Sequence, residues 1–204
     1  MCTITALKSQ KRAKNRVNVF LDGQFAFGMA LQKAHDLNVG QALSASDVAR
    51  LRAVDEAEQA HEKALRFLAH RPRSEAEIRK RMVRQGFSKE VVQAVLQRLQ
   101  AAKLTDDAAF AAFWVENRST FRPRGRRALR VELRQKGLSD EVIEAVLEDV
   151  DEPSDARRAV GQKAARLRGL SMRERRCKLR AFLARRGFEY AIISDVIDEL
   201  MAEQ

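Results

Sequence analysis

The sequence predicts a mainly α fold, a tandem array of three three-helix repeats preceded by a small N-terminal β-hairpin unit. Three observations carry this. A glycine in the same apolar setting recurs at Gly86, Gly137 and Gly187, spaced by 51 and 50 residues, which is a true internal period. Apolar side chains stand at helical intervals on both sides of each glycine. The one strong strand signal, Asp22-Gly23 within "VNVFLDGQFAF", lies ahead of the first repeat.

The N-terminal unit comes first. Residues 17–27 alternate apolar and polar, and Asp-Gly between two such runs favours a two-residue hairpin turn that sets Phe20 opposite Phe25. A lone hairpin is marginal in water, so "ITAL" (4–7) is assigned as a third strand. All β structure is expected within residues 1–30. Ser44 or Ser46 then caps a helix through Val48 and Leu51 that leads into the first repeat. The predicted organisation is an N-terminal extension at 1–54 and repeats at 55–103, 104–152 and 153–204.

Within each repeat, Ile78, Leu129 and Leu179 stand eight residues before the glycine, and Met82, Leu133 and Leu183 four before it. Phe87, Leu138 and Phe188 follow it directly. Later positions hold Val91, Val92, Val95, Leu96 and Leu99; then Val142, Ile143, Val146, Leu147 and Val150; then Ile192, Ile193, Val196, Ile197 and Leu200. Such steps put apolar side chains on one stripe of each of two helices. The glycine between them takes the left-handed conformation of a Schellman cap, with Met82–Phe87, Leu133–Leu138 and Leu183–Phe188 as the accompanying apolar pairs. Ser88 and Ser139 can cap the following helix, and Glu189 is the weaker equivalent. A further helix precedes each pair, marked by Ala64, Leu65, Phe67 and Leu68; by Phe110, Ala111, Phe113 and Trp114; and by Ala159, Val160, Ala164 and Leu167. Phe113 and Trp114 are assigned to the core. Pro72 with the capping box Ser74-Glu77, Pro123-Arg124-Gly125, and Pro153-Ser154 mark connectors. Three short helices bury little surface, so neighbouring repeats should pack end to end.

With 45% apolar and 33% charged residues over 204 positions and a net charge of +11, the chain can bury a substantial core and should meet acidic partners. The charge is segregated. Residues 122–136 carry seven basic and one acidic residue, and 157–186 carry twelve basic and one acidic, whereas 139–155 hold eight acidic and no basic residues. That pattern points to a basic binding face. No run resembles a membrane span or a signal peptide, which argues for a cytoplasmic protein, and Cys2 and Cys177 fit reduced thiols there. No phosphate loop, dinucleotide fingerprint or zinc spacing occurs. His35, His61 and His70 read as surface or helix-end residues. Asp106-Asp107 and Asp140-Glu141 read as helix starts that complement the dipole. No cofactor, metal or catalytic residue is expected.

The repeat pattern, together with "RPRSEAEIRKRMVRQGF" (71–87), "LTDDAAFAAFWVENR" (104–118) and "GRRALRVELRQKGL" (125–138), resembles the RecX family of bacterial modulators of the RecA recombinase over roughly residues 55–200. The matching positions are Ser74, Glu77 and Gly86, then Asp107, Phe110, Ala111 and Arg118. The chain departs from the family at Gly125-Arg126, where many relatives have Gly-Pro. The resemblance implies a non-enzymatic regulator of recombination, DNA repair and the SOS response. It would act as a monomer on RecA and on the groove of RecA–DNA filaments, with no membrane association. Single- or double-stranded DNA is a further partner, contacted without sequence specificity. The assigned contact residues are Arg73, Arg79, Arg118, Arg122, Arg124, Arg126, Arg127, Arg130, Arg134, Lys136, Arg173, Arg176 and Lys178. The alternative is a DNA-binding module of helix-turn-helix-like units, against which the acidic third helices of repeats two and three argue, because phosphates repel them. On this reading, reversing Arg124, Arg126, Arg127 and Arg130 to Glu removes the basic strip and leaves the core intact.

Overall fold

The computed structural model describes residues 1–10 and 15–202. It forms two compact units: residues 1–71 with 79–101, and residues 72–78 with 102–204. In the first unit the strands β1 (Cys2–Ser9), β2 (Arg16–Leu21), β3 (Gln24–Ala30) and β4 (Ala42–Leu43) make an antiparallel sheet in the order β3-β2-β1-β4. Asp22 and Gly23 both have positive φ (48° and 83°), the mark of the tight turn that Asp-Gly favours. Phe20 pairs with Phe25 across it, their rings edge-on at 6.0 Å. The β structure is not confined to residues 1–30: β4 pairs Leu43 and Ala42 with Cys2 and Thr3. Two residues are too short a run to show alternation, so nothing in the sequence announced it.

Ile4, Val17, Val19, Phe27, Met29, Leu37 and Leu43 form the core beneath the sheet. Helix α1 (Ala45–Leu68) starts at Ser44 with a full capping box to Asp47 and runs unbroken through residue 55. Asp55 is buried on it. Its carboxylate accepts from the Arg16 guanidinium at 2.7 Å, the Ala30 N–H at 3.1 Å and the Gln59 amide at 2.7 Å, fastening α1 to β2 and β3. His61, expected at a surface or helix end, is instead buried in mid-helix with no hydrogen-bond partner for Nδ1 among the described residues. Burial, followed by the charge of Arg98, holds its proton affinity below the ordinary histidine range.

The remaining helices are α2 (Glu75–Arg84), α3 (Lys89–Ala101), α4 (Asp107–Phe121), α5 (Arg126–Gln135), α6 (Asp140–Glu148), α7 (Glu152–Ala164), α8 (Met172–Arg185) and α9 (Tyr190–Ala202). The three tandem repeats close with α2–α3, α5–α6 and α8–α9. At each glycine both Schellman bonds form. The Gly137 N–H reaches the Arg134 carbonyl at 2.9 Å and the Leu138 N–H the Leu133 carbonyl at 3.3 Å, with equivalents at Gly86 and Gly187. Behind the turns of the second and third repeats lie two cores. One joins Phe110, Ala111, Leu129, Leu133, Leu138, Ile143 and Leu147, and the other Ala156, Val160, Leu179, Leu183, Phe188, Ile193 and Ile197. Phe113 is not in the core but 38% exposed, because α4 turns that side to solvent. Pro153 stands in the first turn of α7 rather than in a connector. Among the described residues no helix is long and apolar enough to cross a membrane.

The glycine turns differ in what lies against them. Gly86 (φ +89°) has open space where a side chain would stand, whereas a Cβ at Gly137 (φ +81°) would come within 2.3 Å of the Ala76 Cβ. Gly86→Ala should therefore cost only the left-handed backbone, about 1–2 kcal/mol, and Gly137→Ala should cost more because Ala76 must also retreat. Thermal melting of the two variants measures the difference; equal losses would show that the close approach at Gly137 carries no energy.

Candidate basic surface of the second and third repeats

The starts of α2 and α5 each meet the glycine turn of the following repeat through matching contacts. The Ser74 hydroxyl donates to the Lys136 carbonyl at 2.6 Å, and the Gly125 N–H donates to the Arg186 carbonyl at 3.0 Å. In both cases the acceptor is the residue just before the turn glycine. The next residue is capped by a carboxylate from the following repeat. Asp107 accepts from the Glu75 N–H at 3.0 Å, and Glu152 accepts from the Arg126 N–H at 3.2 Å. Asp106 also caps its own helix at Ala108 and Ala109, and Asp107, Asp140 and Glu141 lie in the first turns of α4 and α6, where carboxylates complement the dipole as expected. Glu152 is buried, and its carboxyl is pushed above the usual glutamate range first by desolvation, against hydrogen bonds from the backbone of Arg126 and Glu189.

These junctions place the basic residues. Glu132 gathers the Trp114 indole at 2.9 Å, Arg118 at 2.7 Å and Arg124 at 3.2 Å, while Arg118 and Lys136 lie over the Trp114 ring, each 4.5 Å from its centre. Lys136 also pairs with Glu77 at 3.0 Å. Arg126 donates to the Val150 carbonyl at 2.8 Å and stands 3.8 Å from Glu152. Arg130 grips Glu144 through two bonds of 2.7 Å, holding that carboxyl below its usual range, and Arg134 bonds Asp140 at 2.7 Å. Arg176 pairs with Asp198 and Arg157 with Glu199, and Arg79 donates to Gln93. Arg73 is half-buried.

The segregation of charge along the sequence is thus answered largely within the second and third repeats, where the basic middle helix lies against the acidic third helix. Among the described residues Arg122, Arg127, Arg173 and Lys178 are exposed and enter no ion pair. So do three residues the sequence reading passed over, Arg166, Arg168 and Arg185. They extend the unpaired charge along the approach to α8 and its end. Reversing Arg124, Arg126 and Arg130 would face new carboxylates toward Glu132, Glu152 and Glu144, so that change strains the fold as well as the surface. No group of three or more His, Cys, Asp or Glu side chains among the described residues could hold a metal ion.

Four family models match in sequence order: the regulatory protein RecX N-terminal domain at residues 2–44, and the first, second and third three-helix domains of RecX at 60–99, 106–147 and 151–197. A regulatory protein RecX from Mycobacterium sp. (strain KMS) is 38% identical over 156 residues, covering 72% of this chain and 85% of that protein. One from Bacillus subtilis (strain 168) is 30% identical over 206 residues, covering 98% and 78%. A crystal structure of regulatory protein RecX superposes with a TM-score of 0.74 at 27% identity over 97% of this chain and all of that one.

The buried carboxyl of Glu152 gives a pH-dependent test. Its raised folded value means that it contributes stability below the ordinary glutamate range, and that this is lost as pH rises through the raised value. Glu152→Gln keeps an oxygen for the Arg126 N–H without a charge to bury. It should match or exceed the natural chain in melting temperature at pH 7.5, with the gap closing toward pH 4. Glu152→Ala leaves that N–H without its acceptor and should lose about 1–3 kcal/mol at either pH. A Gln variant as unstable as the Ala variant at pH 7.5 would show that the charge itself is needed.

Proposed function

The chain belongs to the RecX family, and from that premise we propose that it is a negative regulator of homologous recombination that binds RecA and RecA–DNA filaments. It lies along the filament groove and slows ATP hydrolysis, strand exchange or filament growth, working by occupancy rather than by catalysis. The observation that carries this reading is the succession of four RecX domains, in order, along the chain. The unpaired basic residues of repeats two and three support it, since an acidic filament surface and DNA phosphates are what such residues attract. Of the basic residues singled out from sequence, Arg122, Arg127, Arg173 and Lys178 are the ones to carry the contact, because forming it breaks no internal pair. A major-groove reader is less well supported, because α6 and α9 carry the carboxylates that hold the basic helices.

The test mixes the protein with RecA, single-stranded DNA and ATP and follows hydrolysis. The natural chain should inhibit, and inhibition should weaken as salt rises within the range that RecA on DNA tolerates. The triple variant Arg127→Glu, Arg173→Glu, Lys178→Glu should melt as the natural chain does and need at least about tenfold more protein for the same inhibition. No inhibition by the natural chain at any ratio would sink the regulatory reading. Full inhibition by the triple variant would remove these residues from the contact.

A further inference from the structure

We propose that Arg122, Arg124 and Arg186, gathered where the second repeat's connector meets the third repeat's glycine turn, bind a phosphodiester of single-stranded nucleic acid, with a base stacked on Phe121. The geometry starts from Arg186, the last residue before Gly187. Its Nη1 donates to the Pro123 carbonyl at 2.9 Å, its guanidinium lies over the Phe182 ring 4.6 Å from the centre, and its own carbonyl accepts from the Gly125 N–H at 3.0 Å. The side chain is therefore fixed against the residue that separates Arg122 from Arg124. Arg122, Arg124 and Arg186 thus meet at one turn, near enough for the charges of the first two to act on the third.

Convergence of like charge is unfavourable unless something answers it. Burial, then the charges of Arg122 and Arg124, lower the proton affinity of Arg186 itself. The carboxylate within reach of Arg124 is Glu132, which already accepts from Arg118 and Trp114. Arg122 is exposed and enters no ion pair among the described residues. The cluster thus keeps a surplus of positive charge in donors whose planar forks suit a phosphate. Arg186 was not among the residues singled out from sequence, because its partner at Pro123 lies 63 residues away.

What selects an unpaired strand is the neighbouring ring. Phe121 ends α4 directly before Arg122 and is 75% exposed, so its ring is open to a base. A charged donor set beside an open aromatic face is the arrangement by which single-stranded nucleic acid is held, phosphate on cation and base on ring. Duplex offers the phosphate but not a free base.

The test needs no recombinase, so it stands or falls apart from the regulatory reading. A fluorescent oligothymidine of about 20 nucleotides is titrated with the full-length protein and followed by anisotropy, with a duplex of equal length and poly-glutamate in parallel. The oligothymidine should bind. Arg122→Gln and Arg186→Gln should each weaken it about tenfold, the size of a lost charge-assisted bond, and lower the salt slope by about 0.7 per contact. Arg50→Gln, the same charge loss on α1, should change neither. Phe121→Ala should weaken oligothymidine and spare duplex. Arg122 is exposed, so its variant remains informative even if Arg186→Gln melts early. Equal losses for Arg50→Gln and Arg122→Gln, unchanged binding in Arg122→Gln, or capture of poly-glutamate but not oligothymidine would each overturn the assignment, the last transferring the cluster to an acidic protein.

Discussion

The second unit depends on one repeated contact, the seating of a middle helix's first turn on the glycine turn of the next repeat. At Gly125 a Cβ would come within 2.2 Å of the Gly187 carbonyl oxygen, so only a residue without one permits the approach. Where the first repeat has Ser74 instead, the hydroxyl replaces the main-chain amide as donor to the same carbonyl position. Two chemistries thus satisfy one geometry. The left-handed glycine is accordingly more than a helix terminator. It exposes a carbonyl and a flat backbone surface that a neighbouring helix start, with its unsatisfied N–H groups, can use.

That contact also explains the carboxylates of Asp107 and Glu152. A helix start covered by a neighbouring repeat loses water as a partner for its N–H groups, and each orphan donor left in that setting costs about 1–3 kcal/mol. Asp107 and Glu152 answer them from across the junction. The two are not equivalent in cost. Glu152 is nearly inaccessible and its carboxyl is raised by desolvation, whereas Asp107 is half-buried. Exposed pairs such as Arg130–Glu144 and Arg134–Asp140 add little to stability. Their effect is to hold long basic side chains in fixed directions and to reduce the charge the surface offers a partner.

The repeats were legible because a Schellman turn leaves a spaced signature: apolar residue, glycine after four, apolar residue after one. The hairpin was legible because Asp-Gly between alternating runs has few other uses. What escaped were features whose partners are distant in sequence. The acidic doublet at 106–107 read as dipole complement, and both residues do stand at the start of α4, but the second role of Asp107, accepting from Glu75 32 residues earlier, left no trace in the local pattern. His61 read as a surface residue because the burial of α1 comes from packing against the sheet and α3, not from its own periodicity. The basic face was visible as composition, but which arginines are free was not. Arg130 and Arg176 are answered from 14 and 22 residues away by carboxylates whose acidity had seemed to set the third helices apart.

The free charges and the structural ones meet at the turn before α5. Arg186 closes the junction through its backbone carbonyl and presents its guanidinium beside Arg122 and Arg124, so one residue serves both packing and charge display. An anion seated there would relieve the repulsion that the folded junction carries and that the unfolded chain, with these groups far apart, does not. By linkage, such a ligand stabilises the junction by about 2.7 kcal/mol at a hundredfold excess over its dissociation constant. Binding and the seating of one repeat on the next are then coupled through the same residue, and a partner that engages the cluster tightens the contact on which the unit is built.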